Sequence, residues 1–148
     1  LDFALVFTRT VPAKYKMIQL PRKDRWGVLV PKNHPLTNLE QITVEEIVSY
    51  PLIVSNQSDI DKSAFANYDY KVVATYNLLY TASRLVRAGL GIALCLDGIV
   101  DHPELVFLPC TNQGDEGYYL IWKDRHDQTA TEKAFLEEIE AQLYEIEN

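Results

Sequence analysis

Three polar stretches follow apolar runs in this 148-residue chain, and they hold the side chains best suited to binding. Thr8 and Arg9 follow residues 1–7 (LDFALVF); Ser55, Asn56 and Gln57 follow residues 52–54 (LIV); Thr75, Tyr76 and Asn77 close residues 72–77 (VVATYN). Hydroxyls, amides and one guanidinium at strand ends suit a small polar molecule, because open α/β sheets bind ligands at the carboxyl ends of their strands. Leu78, Leu79, Ala82, Leu85 and Val86 follow Asn77 on one helical face, which puts Asn77 where an N-cap belongs. Free N–H groups and the helix dipole at such a start favour a carboxylate or another anion. Asn77 therefore reads two ways, as the cap of its own helix or as a ligand contact. Arg9 is either an anion partner or a solvated surface arginine. Residues 55–57 are either one wall of a binding site or an ordinary polar turn.

Catalysis needs an activated group, and the sequence offers little. Cys95 lies among apolar residues, where a thiolate is disfavoured, although His102 is near in sequence. A buried structural thiol is the simpler reading. His34, His102 and His126 adjoin prolines or charged residues in expected loops, and no pair has metal-ligand spacing. The triplet Gly89-Leu90-Gly91 lacks the dinucleotide fingerprint, so no cofactor is expected. Trp26 and Trp122 read as core and hinge packing rather than as stacking platforms for bases. The chain is not expected to be an enzyme.

Composition narrows the partners. The formal charge is −7, a surface that repels phosphate backbones, so these residues are not expected to bind DNA by themselves. No apolar run is long enough for a membrane helix, and no membrane partner is expected. Two cysteines without metal or disulfide patterning point to a reducing compartment, hence to the cytoplasm. With 47% hydrophobic residues the chain can fill one ordinary core or two small lobes. It opens on Leu1 inside an expected strand, so more chain is expected upstream.

These residues need a scaffold, and residues 72–100 supply its centre: a β-branched strand, a helix, Gly89 as a left-handed stop, and a short buried strand over residues 90–94. Arg84 and Arg87 sit in the last helical turn, where positive charge complements the dipole. A strand–helix–strand unit of this kind implies parallel strands. Before it, residues 1–7 read as a buried central strand. Residues 15–20 and 25–30 read as two extended segments, separated by turn chemistry at Pro21, Lys23 and Asp24. Thr43 and Glu46 have capping-box spacing for a short helix, Pro51 stops it, and residues 52–54 form a buried strand. A short helix is expected around Ser63 to Ala66. After the centre come a strand at 105–108, a polar loop at 111–117, a strand at 118–122 and a helix from Thr129, again with a capping box to Glu132. The expected class is α/β with mainly parallel sheets.

The order DFAL, then Leu20-Pro21 with Asp24-Arg-Trp-Gly-Val-Leu-Val30, His34-Pro35-Leu36, Ile42-Thr43 and Pro51-Leu52-Ile53 resembles the effector-binding domain of LysR-type transcriptional regulators. The block ATYNLLYTASRLVRAGLGIALCLD resembles one subgroup of that family, and Tyr119-Leu-Ile-Trp-Lys123 with the closing helix fits as well. The resemblance runs from Asp2 to about Leu143. It implies two α/β lobes similar to periplasmic binding proteins, joined by two crossing strands, with a small metabolite bound between them. On that pattern residues 1–16 and 106–148 are an incomplete first lobe and residues 17–105 the second, with crossings near 15–20 and 105–109. The helix-turn-helix is absent, so DNA would be reached only through a missing amino-terminal domain. The resemblance places Asn77 as a polar residue pointing into the cleft, and it implies self-pairing as a homodimer or higher species. The expected partner is an anionic small-molecule effector. A periplasmic-type solute-binding protein of the same two-lobe design is the alternative.

Overall fold

A computed structural model describes residues 2–8, 11–111, 116–124 and 127–147. They fall into two compact units, Leu1–Lys23 with Glu116–Asn148, and Asp24–Asp115. The boundary expected at 105 thus falls inside a strand of the second unit, as its sheet makes clear below.

The first unit is a three-stranded sheet in the order β1-β8-β2, formed by β1 (Ala4–Thr8), β2 (Tyr15–Asp24) and β8 (Glu116–Lys123), with one long helix, α3 (Ala130–Glu147). β1 runs antiparallel to β8, with Leu5 opposite Leu120. Among the described strands it lies at an edge, where its apolar run implies a buried central strand, and Leu5 is 63% exposed. An apolar run does not count a strand's neighbours. Phe3 links the sheet to the helix, 6.1 Å from the Trp122 ring and 5.0 Å from that of Phe135. Thr129 and Glu132 start α3 as their spacing requires: each backbone N–H donates to the other's side-chain oxygen at 3.2 Å.

β2 also corrects the sequence reading. Residues 15–24 form one continuous strand through Pro21, and only Arg25 separates it from β3 (Trp26–Pro31). Proline is tolerated there because β2 is an edge of its sheet, where one N–H has no ladder partner to lose.

The second unit holds a five-stranded sheet in the order β5-β4-β6-β3-β7. Its further strands are β4 (Leu52–Ser55), β5 (Val72–Tyr76), β6 (Ile92–Leu96) and β7 (Leu105–Pro109). β4 is parallel to both β5 and β6, whereas β3 is antiparallel to β6 and to β7. The sheet is therefore mixed rather than mainly parallel. The helix between β5 and β6 enforces a parallel relation only around itself; β3 and β7 are reached by other routes. β4 is inserted between the two strands of that crossover, which leaves β5 at the edge with Val72 37% exposed.

Alternation along the strands builds a core on each face. Val28, Val30, Leu52, Val54 and Ile92 point to one side, where Leu36, Ile42, the four-residue helix α1 (Val44–Ile47) and Phe65 cover them. Leu29, Ile53, Ala93 and Cys95 point to the other, under Ala82 and Val86 of α2 (Leu79–Arg87). Glu46 accepts from the Thr43 N–H at 2.8 Å, so the sequence signal for α1 holds. The expected helix at 63–66 does not form: Ile60–Lys62 is a single 3-10 turn, and Ser63 closes it by donating its hydroxyl to the Ile60 carbonyl at 2.6 Å. Gly89 ends α2 at φ +83°, as expected. At Gly91 a side chain would meet the Pro51 carbonyl oxygen at 2.5 Å, so the chain enters β6 only as glycine.

Candidate functional site

The carboxyl ends of β4 and β5 lie side by side because the strands are parallel neighbours with Ser55 opposite Tyr76. Two polar stretches 20 residues apart in sequence are thereby joined into one surface. The Asn56 backbone N–H donates to the Tyr76 carbonyl at 2.9 Å, and the Asn56 side-chain amide donates to Oδ1 of Asn77. The turn after β4 is held from within, since Ser55 accepts from the Ser58 N–H at its carbonyl (3.0 Å) and from the Gln57 N–H at Oγ (3.3 Å). Asn56, Gln57, Thr75 and Asn77 are exposed and Ser55 is half-buried. Residues 55–58 and 75–78 contain no charged side chain; Asp59, the next residue after the first turn, pairs with Lys62 at 3.0 Å.

Two assignments change. Asn77 is not the cap of α2. The N-cap is Leu78, which makes no side-chain cap bond, and Asn77 spends its oxygen on Asn56 instead. A partner 21 residues away, brought close by strand pairing, outcompetes the local role that asparagine's short side chain favours. The start of α2 consequently has no side-chain acceptor from its own cap. Leu78, 68% exposed, and Tyr80, 69% exposed, place apolar surface on the same segment, a feature that the helical face alone does not reveal.

Tyr76 is the second. Its ring packs against the core under α2 and its hydroxyl donates to the Leu94 carbonyl at 2.8 Å. Burial, then the neighbouring Cys95, pushes its phenol up to about 12. Tyr76 thus braces β5 against β6 and presents its backbone carbonyl, not its side chain, to the Asn56 turn. The alternation of strand residues carries the signal: Thr75 faces out where Tyr76 faces in.

Thr8 ends β1 opposite Gly117 in the first unit. Arg9 and His126 lie outside the described residues. Cys95 is buried, and burial followed by Asp97 raises its thiol to about 12, far from a reactive thiolate. The His102 ring accepts from the Glu104 N–H at 3.1 Å through Nδ1. Among the described residues no group of three metal-ligating side chains is present, and no helix is long and apolar enough to cross a membrane.

Comparison with known proteins gives a consistent result. No curated protein matches the sequence. Among solved structures, HinK, a LysR family transcriptional regulator from Pseudomonas aeruginosa, superposes with a TM-score of 0.75 at 15% identity, over 96% of this chain and 53% of that one. The BenM effector binding domain with its effector benzoate gives 0.73 at 19% identity over 99% and 71%. The effector binding domain of QuiR in complex with shikimate gives 0.75 at 23% identity over 92% and 68%. The chain spans about half the length of the longer regulators it matches. At these identities the likeness establishes the two-lobe α/β fold. The family profile described as LysR substrate binding domain matches residues 1–143, nearly the whole sequence. The chain belongs to the LysR substrate binding domain family.

Proposed function

We propose that this chain is the effector-sensing part of a LysR-type transcriptional regulator, taking a small metabolite between its two lobes and pairing with a second copy of itself. DNA is contacted by another domain of the regulator, and the protein works in the cytoplasm. The second lobe's share of the site comprises Ser55, Asn56, Gln57, Thr75 and Asn77, with Tyr76 as the brace behind them; Thr8 and Arg9 are the first lobe's contribution. The carrying observation is that β4 and β5 end side by side in uncharged polar turns, next to a helix start whose own cap is an exposed leucine. Free N–H groups there are suited to a carboxylate of the effector. Cys95, buried and with its thiol raised to about 12, is unsuited to act as a nucleophile.

The test is a melting-temperature screen of this chain with small carboxylates, benzoate and shikimate among them, repeated on Leu78→Asp. Aspartate at the N-cap would occupy the first N–H groups with its own carboxylate and stabilise the free protein by about 1 kcal/mol. At least one carboxylate should raise the melting temperature of the parent, and Leu78→Asp should lose that response. No response from any probe, or a response that Leu78→Asp leaves intact, would refute the assignment.

A further inference from the structure

The two joined asparagines carry more information than either alone. A primary amide has one acceptor oxygen and a two-hydrogen donor. The bond from Asn56 Nδ2 to Asn77 Oδ1 consumes one donor and one acceptor. It leaves both N–H hydrogens of Asn77 and one of Asn56 as donors, and the Asn56 oxygen with the second lone pair of Asn77 Oδ1 as acceptors, on two exposed side chains. Exchanging oxygen and nitrogen in both amides moves these roles from one residue to the other and leaves the same balance. In either arrangement the pair offers donors beside acceptors in equal number.

A simple ion matches only half of that balance. A carboxylate brings acceptors only: it satisfies the free NH2 but sets its charge against the lone pairs of the other amide's oxygen. An ammonium brings donors only and fails in the opposite sense. Ser55, Gln57 and Thr75 extend the same mixed chemistry, since hydroxyls and amides each donate and accept. Neither turn carries a charged side chain to offset an ion placed on it.

We infer that the joined asparagines read a neutral donor–acceptor group of the effector, two neighbouring hydroxyls or a carboxamide, and not its charge. The inference rests on the binding site proposed above and deepens it. An anionic group on the same effector is left to the N–H groups at the start of α2.

A matched series of cyclohexane ligands tests this on the 148-residue chain: the cis-1,2-diol, the carboxamide, the carboxylate and the ammonium. The readout is the side-chain amide NMR signals of Asn56 and Asn77 during titration. The diol or the carboxamide should shift both pairs saturably, at an affinity about tenfold tighter than the carboxylate or the ammonium, which is what one well-made hydrogen bond supplies. Comparison of the two neutral probes identifies which group is read. Asn77→Asp keeps an acceptor for Asn56 but removes both N–H donors of residue 77; it should cost the preferred probe about tenfold and leave the backbone spectrum of the core unchanged. If the carboxylate binds these amides as tightly as the neutral probes, the inference fails while the site stands. If no probe moves either amide, both the site and the inference fail.

Discussion

Replacing Tyr76 by phenylalanine removes one oxygen and nothing else from the contact that braces β5. The ring stays in its core, so no cavity opens, and the cost is that of the single bond to the Leu94 carbonyl at 2.8 Å. A hydrogen bond of this kind contributes about 1 kcal/mol net, because the unfolded phenol bonds to water. In a domain of roughly one hundred residues that lowers the melting temperature by about 4–8 °C. The alkaline limb gives an independent check. Tyr76 rises from 10.0 to about 12 and Cys95 from 9.0 to about 12 on folding, both chiefly through burial. Both groups are favoured in their neutral forms by the fold, so their contribution is complete below about pH 9 and is lost as pH climbs toward 12. Tyr76→Phe keeps only the cysteine part and should lose stability less steeply over that window. The assay is thermal unfolding followed by circular dichroism at intervals from pH 7 to 11. A variant whose melting point is unchanged at pH 7, and whose alkaline loss parallels the parent, would refute the brace.

Three further outcomes are expected. Half-burial holds the His34 imidazole below its usual range, and its Nδ1 accepts from the Leu36 N–H at 3.2 Å, so protonation costs both. Stability should therefore fall as pH drops below about 6.5, and His34→Asn, which can accept the same bond without titrating, should flatten that limb in melting curves between pH 5 and 8. Gly91→Ala, with its new carbon 2.5 Å from the Pro51 oxygen, should lose about 2–3 kcal/mol in denaturant titration; Gly89→Ala meets no atom and should lose only about 1–2 kcal/mol, from its left-handed backbone. Light scattering should find a dimer or larger species at micromolar concentration, and a monomer mass throughout would count against self-pairing.

What the sequence revealed was local. Thr129 with Glu132, the positive φ of Gly89 and the buried strand over Leu52, Ile53 and Val54 each follow from residues close in sequence, and each is present in the structure. What it concealed was set by neighbours distant in sequence. The runs at 4–8 and 72–76 are equally apolar whether they lie at the centre or the edge of a sheet, and both lie at an edge. Pro21 reads as a turn because only the sheet order shows that its missing N–H is harmless. Asn77 looked like a cap until strand pairing delivered Asn56 to it. The polar residues of the second unit were legible as a set; the inward turn of Tyr76 between exposed Thr75 and Asn77 was legible only through strand alternation, which reading them as one set passes over.

Pro21 has a consequence for how the first unit meets other chains. An open sheet edge is a template on which a foreign strand can lie down, and repetition of that step makes fibres. β2 is such an edge, but it is broken midway by a residue with no N–H to offer. β1, at the opposite side, has neither proline nor charge between Ala4 and Thr8. Among the described strands, the β1 side of this sheet is therefore the one left able to take an added strand, and the β2 side is not.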